Sequence, residues 1–126
     1  RKTYESIPTR FRPLKERLNV VITRQRDYSV EPGVRVAHDL QQGLDLLQQE
    51  ANLHAHYVIG GAEIYAMALR DPACDRALVT RIHGSFACDT HLVEFESDFE
   101  RVAADGPHQS GDASCTFETW HRRDSI

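Results

Sequence analysis

The sequence predicts an α/β fold, a mostly parallel sheet flanked by helices and closed by an antiparallel C-terminal hairpin. Three observations carry this. Short runs rich in β-branched residues alternate with segments of helical periodicity. The run "RLNVVIT" is a continuous apolar strand, as expected when both faces of a sheet are covered. The C-terminal segments "FERVA" and "CTFETWHR" instead alternate apolar and polar residues, as half-exposed antiparallel strands do.

Each element has its own signal. Arg1 to Ser6 reads as a short helix, stopped near Ile7-Pro8 because the residue before a proline avoids the helical region. Phe11 to Glu16 reads as a loop, Arg17 to Thr23 as the first strand, and Val34 to Ala37 as the second, entered through the Pro32-Gly33 turn. Asp39 is an N-cap for a helix over "LQQGLDLLQQEA", whose Leu40, Leu44 and Leu47 form a buried stripe. His56 to Ile59 is expected to be a third strand and Ala62 to Leu69 a second full helix, ended by Asp71-Pro72. Arg76 to Ile82 is the fourth strand, and a polar loop from Gly106 to Asp112 separates the strands of the hairpin.

Composition bounds the function. A chain of 126 residues holds one domain at most, and 40% apolar with 27% charged residues fits a folded protein rather than a disordered one. A formal charge of -4 argues against a general nucleic-acid or anionic-membrane surface, and no apolar run approaches a membrane span. Cys74, Cys88 and Cys115 are odd in number and lack CxxC spacing, which reads as a reduced, cytosolic chain without a disulfide framework or structural zinc. His54 and His56 share one face of the expected strand, but two ligands are too few for a metal site.

The most telling stretch is "YVIGGAEIY", where a glycine pair joins a strand to a helix. Ligands of open α/β sheets sit at the carboxyl ends of strands, and the free amides of a helix N-terminus attract anions. Glycine lets a phosphate approach the backbone closely, although a plain tight turn would use the same pair. Neither GxGxxG nor GK[ST] is present. Other strand ends carry suitable groups: Thr23-Arg24 after the first strand, His38 after the second, and Arg1-Lys2-Thr3 at the first helix. Together they favour a ligand with more than one phosphate.

"RKTYESIP", "RPLKERLNVVITR", "YVIGGAEIY", "LVTRI" and "CDTHL" follow one another in the order and spacing of dihydrofolate reductase, and the resemblance runs from Arg1 to about Trp120. It implies reduction of 7,8-dihydrofolate to tetrahydrofolate with NADPH, in one-carbon metabolism. Carried over by position, Lys2 and Thr3 contact cofactor phosphates, Ile22 packs on adenine, and Thr23 and Arg24 hold the 2′-phosphate. Gly61, Ala62, Glu63 and Ile64 form the helix start under the pyrophosphate, and the glycine pair is joined by a cis peptide. Arg17 clamps the α-carboxylate of the glutamate tail. Ser6, Ile7, Pro8 and Leu14 wall the aminobenzoyl ring, and Ile59 and Tyr65 lie near the pterin. Thr80 hydrogen-bonds the catalytic carboxylate, and Asp89 steadies the mobile loop.

The chain departs from the family pattern in places. Glu16 stands where the family often has glycine, His38 where an arginine often helps the 2′-phosphate, and Tyr4 where Trp is common. Residues 1–126 resemble a partial domain lacking about the first fifty residues, with the strand, loop and catalytic acid they carry. No residue here takes that acid's role, so the chain alone is expected to be inactive. The implied partners are dihydrofolate and antifolate-like small molecules, without nucleic acid or membrane. A monomer is expected, cytoplasmic, with a mitochondrial location and fusion to a thymidylate synthase left open. Two alternatives stand beside this: the reductase of riboflavin biosynthesis, which has no glutamate tail for Arg17, and a non-catalytic nucleotide-binding remnant.

Overall fold

The computed structural model describes residues 1–123. The chain forms two compact units, Arg1–Met67 and Ala68–Ile126. The first holds α1 (Lys2–Ser6), a 3-10 turn (Thr9–Phe11), β1 (Val20–Ile22), β2 (Arg35–Ala37) and α2 (Leu40–Gln48). Helix α3 (Ala62–Arg70) runs from the first unit into the second, which holds β3 (Arg76–Ile82), β4 (Phe99–Ser110) and β5 (Ala113–Arg122). None of the helices among the described residues is long and apolar enough to cross a membrane.

In the first unit β1 and β2 pair in parallel, with Val21 opposite Val36 and Ile22 opposite Ala37. Val21, Val34 and Ala37 are buried. Helix α2 covers the pair, and its close approach explains the glycine in its middle: a Cβ at Gly43 would lie 3.6 Å from Ile22 Cδ1 and 3.7 Å from Ala37 Cβ. The N-cap is the expected one, since Asp39 Oδ1 accepts the Gln42 N–H at 2.7 Å. The helix ends at Gln48, sooner than its periodicity suggests. The Gln49 and Glu50 amides bond carbonyls only three residues back, which tightens the final turn.

Strand β1 is also shorter than predicted, for a local reason. The Asn19 side chain accepts the Leu14 N–H and donates to the Leu14 and Arg17 carbonyls. A side chain closing on its own backbone competes with a sheet ladder, so the chain turns at residues 15–16, bends at 17 and enters β1 only at Val20. A second correction concerns His56 to Ile59, which pair with no strand among the described residues. Tyr57 is 76% exposed and Ile59 55%. Apolar, β-branched composition makes a segment compatible with a strand, but a strand exists only where a neighbour supplies the hydrogen bonds.

The second unit is a three-stranded antiparallel sheet in the order β3-β5-β4. The hairpin is as expected, but its polar loop is not. Residues 106–110 belong to β4, and only Gly111 and Asp112 turn the chain. Register shifts at Arg101/Ala103 and Asp105/His108 absorb the extra residues, including Gly106-Pro107, as bulges do. Gly106 is needed there: its φ is +135°, and a Cβ would meet the Cys115 carbonyl oxygen at 2.9 Å. The core is aromatic, with Phe95 edge-on to Phe99 and Trp120 at centroid distances of 5.8 and 5.2 Å. The α/β class and the closing hairpin hold. Among the described residues the strands form two sheets rather than one, and parallel pairing is confined to β1 and β2.

Candidate functional site

The carboxyl ends of β1 and β2 lie side by side, because parallel register aligns Ile22 with Ala37. Thr23 extends the ladder by donating its N–H to the Ala37 carbonyl at 2.9 Å. Its side chain is buried, and its Oγ1 accepts the Gln25 N–H at 3.1 Å, turning Arg24 out into solvent. Thr23's own carbonyl faces the His38 ring, with Nδ1 at 2.9 Å. The His38 N–H donates to Gln42 Oε1 in the first turn of α2. Thr23, Arg24 and His38 therefore stand together at one sheet end, although fifteen residues separate the first and last.

Helix α1 joins this end to the glycine pair. The Arg1 backbone nitrogen donates to the Ile22 carbonyl at 3.0 Å. Two tyrosine–carboxylate hydrogen bonds anchor the helix further, Tyr4 to Glu31 and Tyr28 to Glu5. Burial first, and then the bond to Glu31, push the Tyr4 hydroxyl up to about 12, so it stays a donor. Burial and the bond to Glu5 raise Tyr28 in the same way. Thr3, the second residue of α1, points at the glycines: a Cβ on Gly60 would lie 3.1 Å from Thr3 Oγ1, and one on Gly61 3.5 Å away. Lys2 beside it is exposed.

The peptide between Gly60 and Gly61 is cis, as the resemblance implied, and Gly60 has φ +124°, where L side chains are strained. The Tyr65 N–H donates to the Gly61 carbonyl, so Gly61 opens α3. The amides of Ala62, Glu63 and Ile64 then have no carbonyl within the helix to bond. Glu63 is exposed and Ile64 half-buried. The Tyr65 ring lies against Gly60, 3.7 Å from where a Cβ would be. Ile59, just before, is exposed.

Arg17 lies elsewhere in the first unit, on a depression of about 440 Å³. Its Nε donates to the Lys15 carbonyl at 2.9 Å, which fixes the guanidinium plane and leaves the terminal nitrogens outward. Leu14 lines the same depression. Ser6 Oγ donates back to the Thr3 carbonyl, Ile7 is half-buried, and Pro8 is exposed. Sequence reasoning missed three cations here. Arg10, Arg12 and Lys15 share the depression with Arg17, and Arg12 Nε is buried without an acceptor. The signal was the density of basic residues from Arg10 to Arg17. The missing glycine at position 16 also has a visible consequence, since Glu16 takes φ +61°.

Thr80 and Asp89 belong to the second unit. Thr80 is exposed on β3 opposite Phe117, and Asp89 is exposed outside any regular element. A larger depression there, about 530 Å³, is lined by Val79, Arg81 and Leu92–Glu96 and contains neither residue.

Comparisons with known proteins agree on one family. The family model for dihydrofolate reductase matches residues 1–122. A dihydrofolate reductase of Pneumocystis carinii is 41% identical over 95 residues, covering 71% of this chain and 46% of that protein. One from Drosophila melanogaster is 32% identical over 106 residues, covering 83% and 58%. A putative bifunctional dihydrofolate reductase-thymidylate synthase of Oryza sativa subsp. japonica is 39% identical over 97 residues, covering 73% of this chain and 20% of that protein. The chain spans about half the length of the first two of these relatives.

Proposed function

The chain belongs to the dihydrofolate reductase family, and we propose that it serves the reduction of 7,8-dihydrofolate to 5,6,7,8-tetrahydrofolate with NADPH. The observation that carries this reading is the meeting of Thr3 with the Gly60-Gly61 pair, on a helix tied to the end of β1. The backbone there is bare where a Cβ would crowd Thr3, which suits a pyrophosphate lying against the amides of Ala62, Glu63 and Ile64. Thr3 adds a hydroxyl and Lys2 a charge. Ile22 packs against adenine, while Thr23, Arg24 and His38 hold the 2′-phosphate. NADPH, when bound, supplies the hydride that passes from nicotinamide C4 to pterin C6.

On the substrate side, Arg17 pairs its two terminal nitrogens with the α-carboxylate of the glutamate tail, a planar match that a point charge lacks. Its bond to Lys15 supports this role by holding the fork in one orientation before substrate arrives. Ser6, Ile7, Pro8 and Leu14 border the aminobenzoyl ring, and Ile59 and Tyr65 border the pterin. Supply of the proton to pterin N5 is given to no carboxylate of this chain.

The test is equilibrium binding of NADPH, NADH and dihydrofolate to the chain, with NADPH oxidation followed in their presence. The expected result is NADPH binding that exceeds NADH binding and falls on Thr3→Val or Arg24→Gln. Equal affinity for the two nucleotides, or no affinity for either, overturns the cofactor reading.

A further inference from the structure

The loop after β1 combines charge and an accessible hydroxyl in a pattern that cofactor binding leaves unused. It reads "TRQRDYSVE" from Thr23 to Glu31. Arg24 and Arg26 stand five and three residues ahead of Ser29, and no other serine or threonine of the sequence has arginine at both positions. Protein kinases select a hydroxyl by the charges around it. In an extended substrate, residues two apart project to one side, so two guanidiniums at this spacing reach one acidic surface together.

The structure leaves the pattern open to such an enzyme. Arg24, Arg26 and Ser29 are all exposed, and residues 28–31 belong to no helix or strand. Neither arginine makes an ion pair among the described residues. Arg26 and Asp27 form a turn, which folds the chain back so that Ser29 returns toward the end of β1. Just before Ser29, the Tyr28 hydroxyl bonds Glu5 at 3.2 Å in an exposed position. A segment held by exposed bonds opens at small free-energy cost.

We propose that Ser29 is a phosphorylation site for a basophilic serine kinase, and that the phosphate it gains draws Arg24 away from the cofactor. In the transfer, Ser29 Oγ attacks the γ-phosphorus of a nucleoside triphosphate, the bond from that phosphorus to the bridging oxygen breaks, and the nucleoside diphosphate leaves. The serine proton passes to the kinase's catalytic carboxylate. The product carries a charge of roughly −1.5 to −2 at neutral pH and three acceptor oxygens, which suit a planar guanidinium. Arg24 is then engaged within its own loop, and a fixed anion stands beside the place of an anionic ligand. Both effects weaken NADPH binding. This consequence rests on the reading of Arg24 as a cofactor residue; the modification itself does not.

For the experiment, the chain, Ser29→Ala and Arg26→Gln are each incubated with magnesium ATP and the catalytic domain of protein kinase B, a probe selective for arginine at these two spacings. Phosphorylated positions are mapped by mass spectrometry, and NADPH and NADH affinities are measured before and after. The expected result is phosphate on Ser29 of the chain, with incorporation about tenfold slower in Arg26→Gln. NADPH affinity is expected to fall by about tenfold on phosphorylation, and NADH affinity by less. Ser29→Ala is expected to bind NADPH as the untreated chain does, both before and after treatment. That variant also controls for phosphate on Ser125, which has arginines three and two residues ahead. Ser29 left unmodified, or modified equally fast in Arg26→Gln, overturns the site. Phosphate on Ser29 with unchanged NADPH affinity overturns the withdrawal of Arg24. A chain that binds NADPH in neither state overturns the cofactor reading and the regulatory consequence with it, while the mapping of Ser29 decides the modification by itself.

Discussion

Arg81 Nη2 lies 3.1 Å from Glu118 Oε1, and the Glu118 side chain is only 4% exposed. The two residues face the same side of the β3–β5 ladder, because Val79 is opposite Glu118 and Arg81 opposite Thr116. Arg101 and the Trp120 indole N–H bond the same carboxylate. The hydrogen bond from Arg81, aided by those from Trp120 and Arg101, holds Glu118 below the usual carboxylate range despite its burial. A depressed carboxylate stabilises the fold above its unfolded pKa, and this contribution is lost as pH falls through the folded value. Glu118→Gln is expected to cost about 1–3 kcal/mol at neutral pH. The difference from the unsubstituted chain should shrink in acid, as read from denaturant midpoints at several pH values. A pH-independent difference would remove the carboxylate's charge from the account.

Arg122 closes the C-terminal end of α3. Its Nη2 donates to the Leu69 and Asp71 carbonyls and its Nε to that of Cys74, while its guanidinium lies 4.6 Å over the Phe99 ring. Arg122→Ala is expected to destabilise the chain by about 2–3 kcal/mol, since it strips helix-end carbonyls of their donors. Arg122→Lys should recover only part, having no planar fork. Thermal unfolding of the three proteins decides this, and equal melting of Ala and Lys variants would show that charge at this position contributes nothing.

Glu16 occupies a left-handed conformation at φ +61°. An L side chain there costs roughly 1–2 kcal/mol, whereas glycine adopts it freely at an entropic cost of roughly 0.5–1 kcal/mol. Glu16→Gly is therefore expected to stabilise the chain by up to about 1 kcal/mol. Urea denaturation measures it, and a loss of stability would mean that the glutamate side chain makes a compensating contact.

The two glycines of the junction are not equivalent. Gly60 has φ +124° and would bring a Cβ to 3.1 Å from Thr3 Oγ1, whereas at Gly61 the same atom is at an ordinary 3.5 Å. Gly60→Ala is expected to cost about 1–3 kcal/mol in stability, and Gly61→Ala less. Combining Gly60→Ala with Thr3→Ala should recover the steric part and leave the dihedral part. A double-mutant cycle on unfolding free energies separates them.

Arg17→Lys keeps the charge and loses the planar fork. Dihydrofolate affinity is expected to fall by roughly 1.5–3 kcal/mol, with NADPH affinity unchanged. Calorimetric titration of both ligands checks it. Equal losses would detach Arg17 from the substrate tail.

Much of this protein was legible from local sequence. Asp39 announced the start of α2 and "CTFETWHR" a strand, although Phe117 lies exposed and Glu118 buried against the expected alternation, and the glycine pair announced a junction where a Cβ is unwelcome. These are properties of a few neighbouring residues, set by backbone preference and side-chain period. What sequence alone left open was partnership. "HYVI" has the composition of a strand but no paired neighbour among the described residues, and the polar stretch from Gly106 became strand because β5 lay beside it. The grouping of Arg81, Arg101 and Trp120 on Glu118 depends on which residues a ladder register sets face to face, with Arg81 and Glu118 37 positions apart. The contact of the His38 ring with the Thr23 carbonyl depends likewise on the pairing of β1 with β2. Hydrogen bonds and charges act over a few ångströms of space, so their outcome is decided only when folding brings distant segments together.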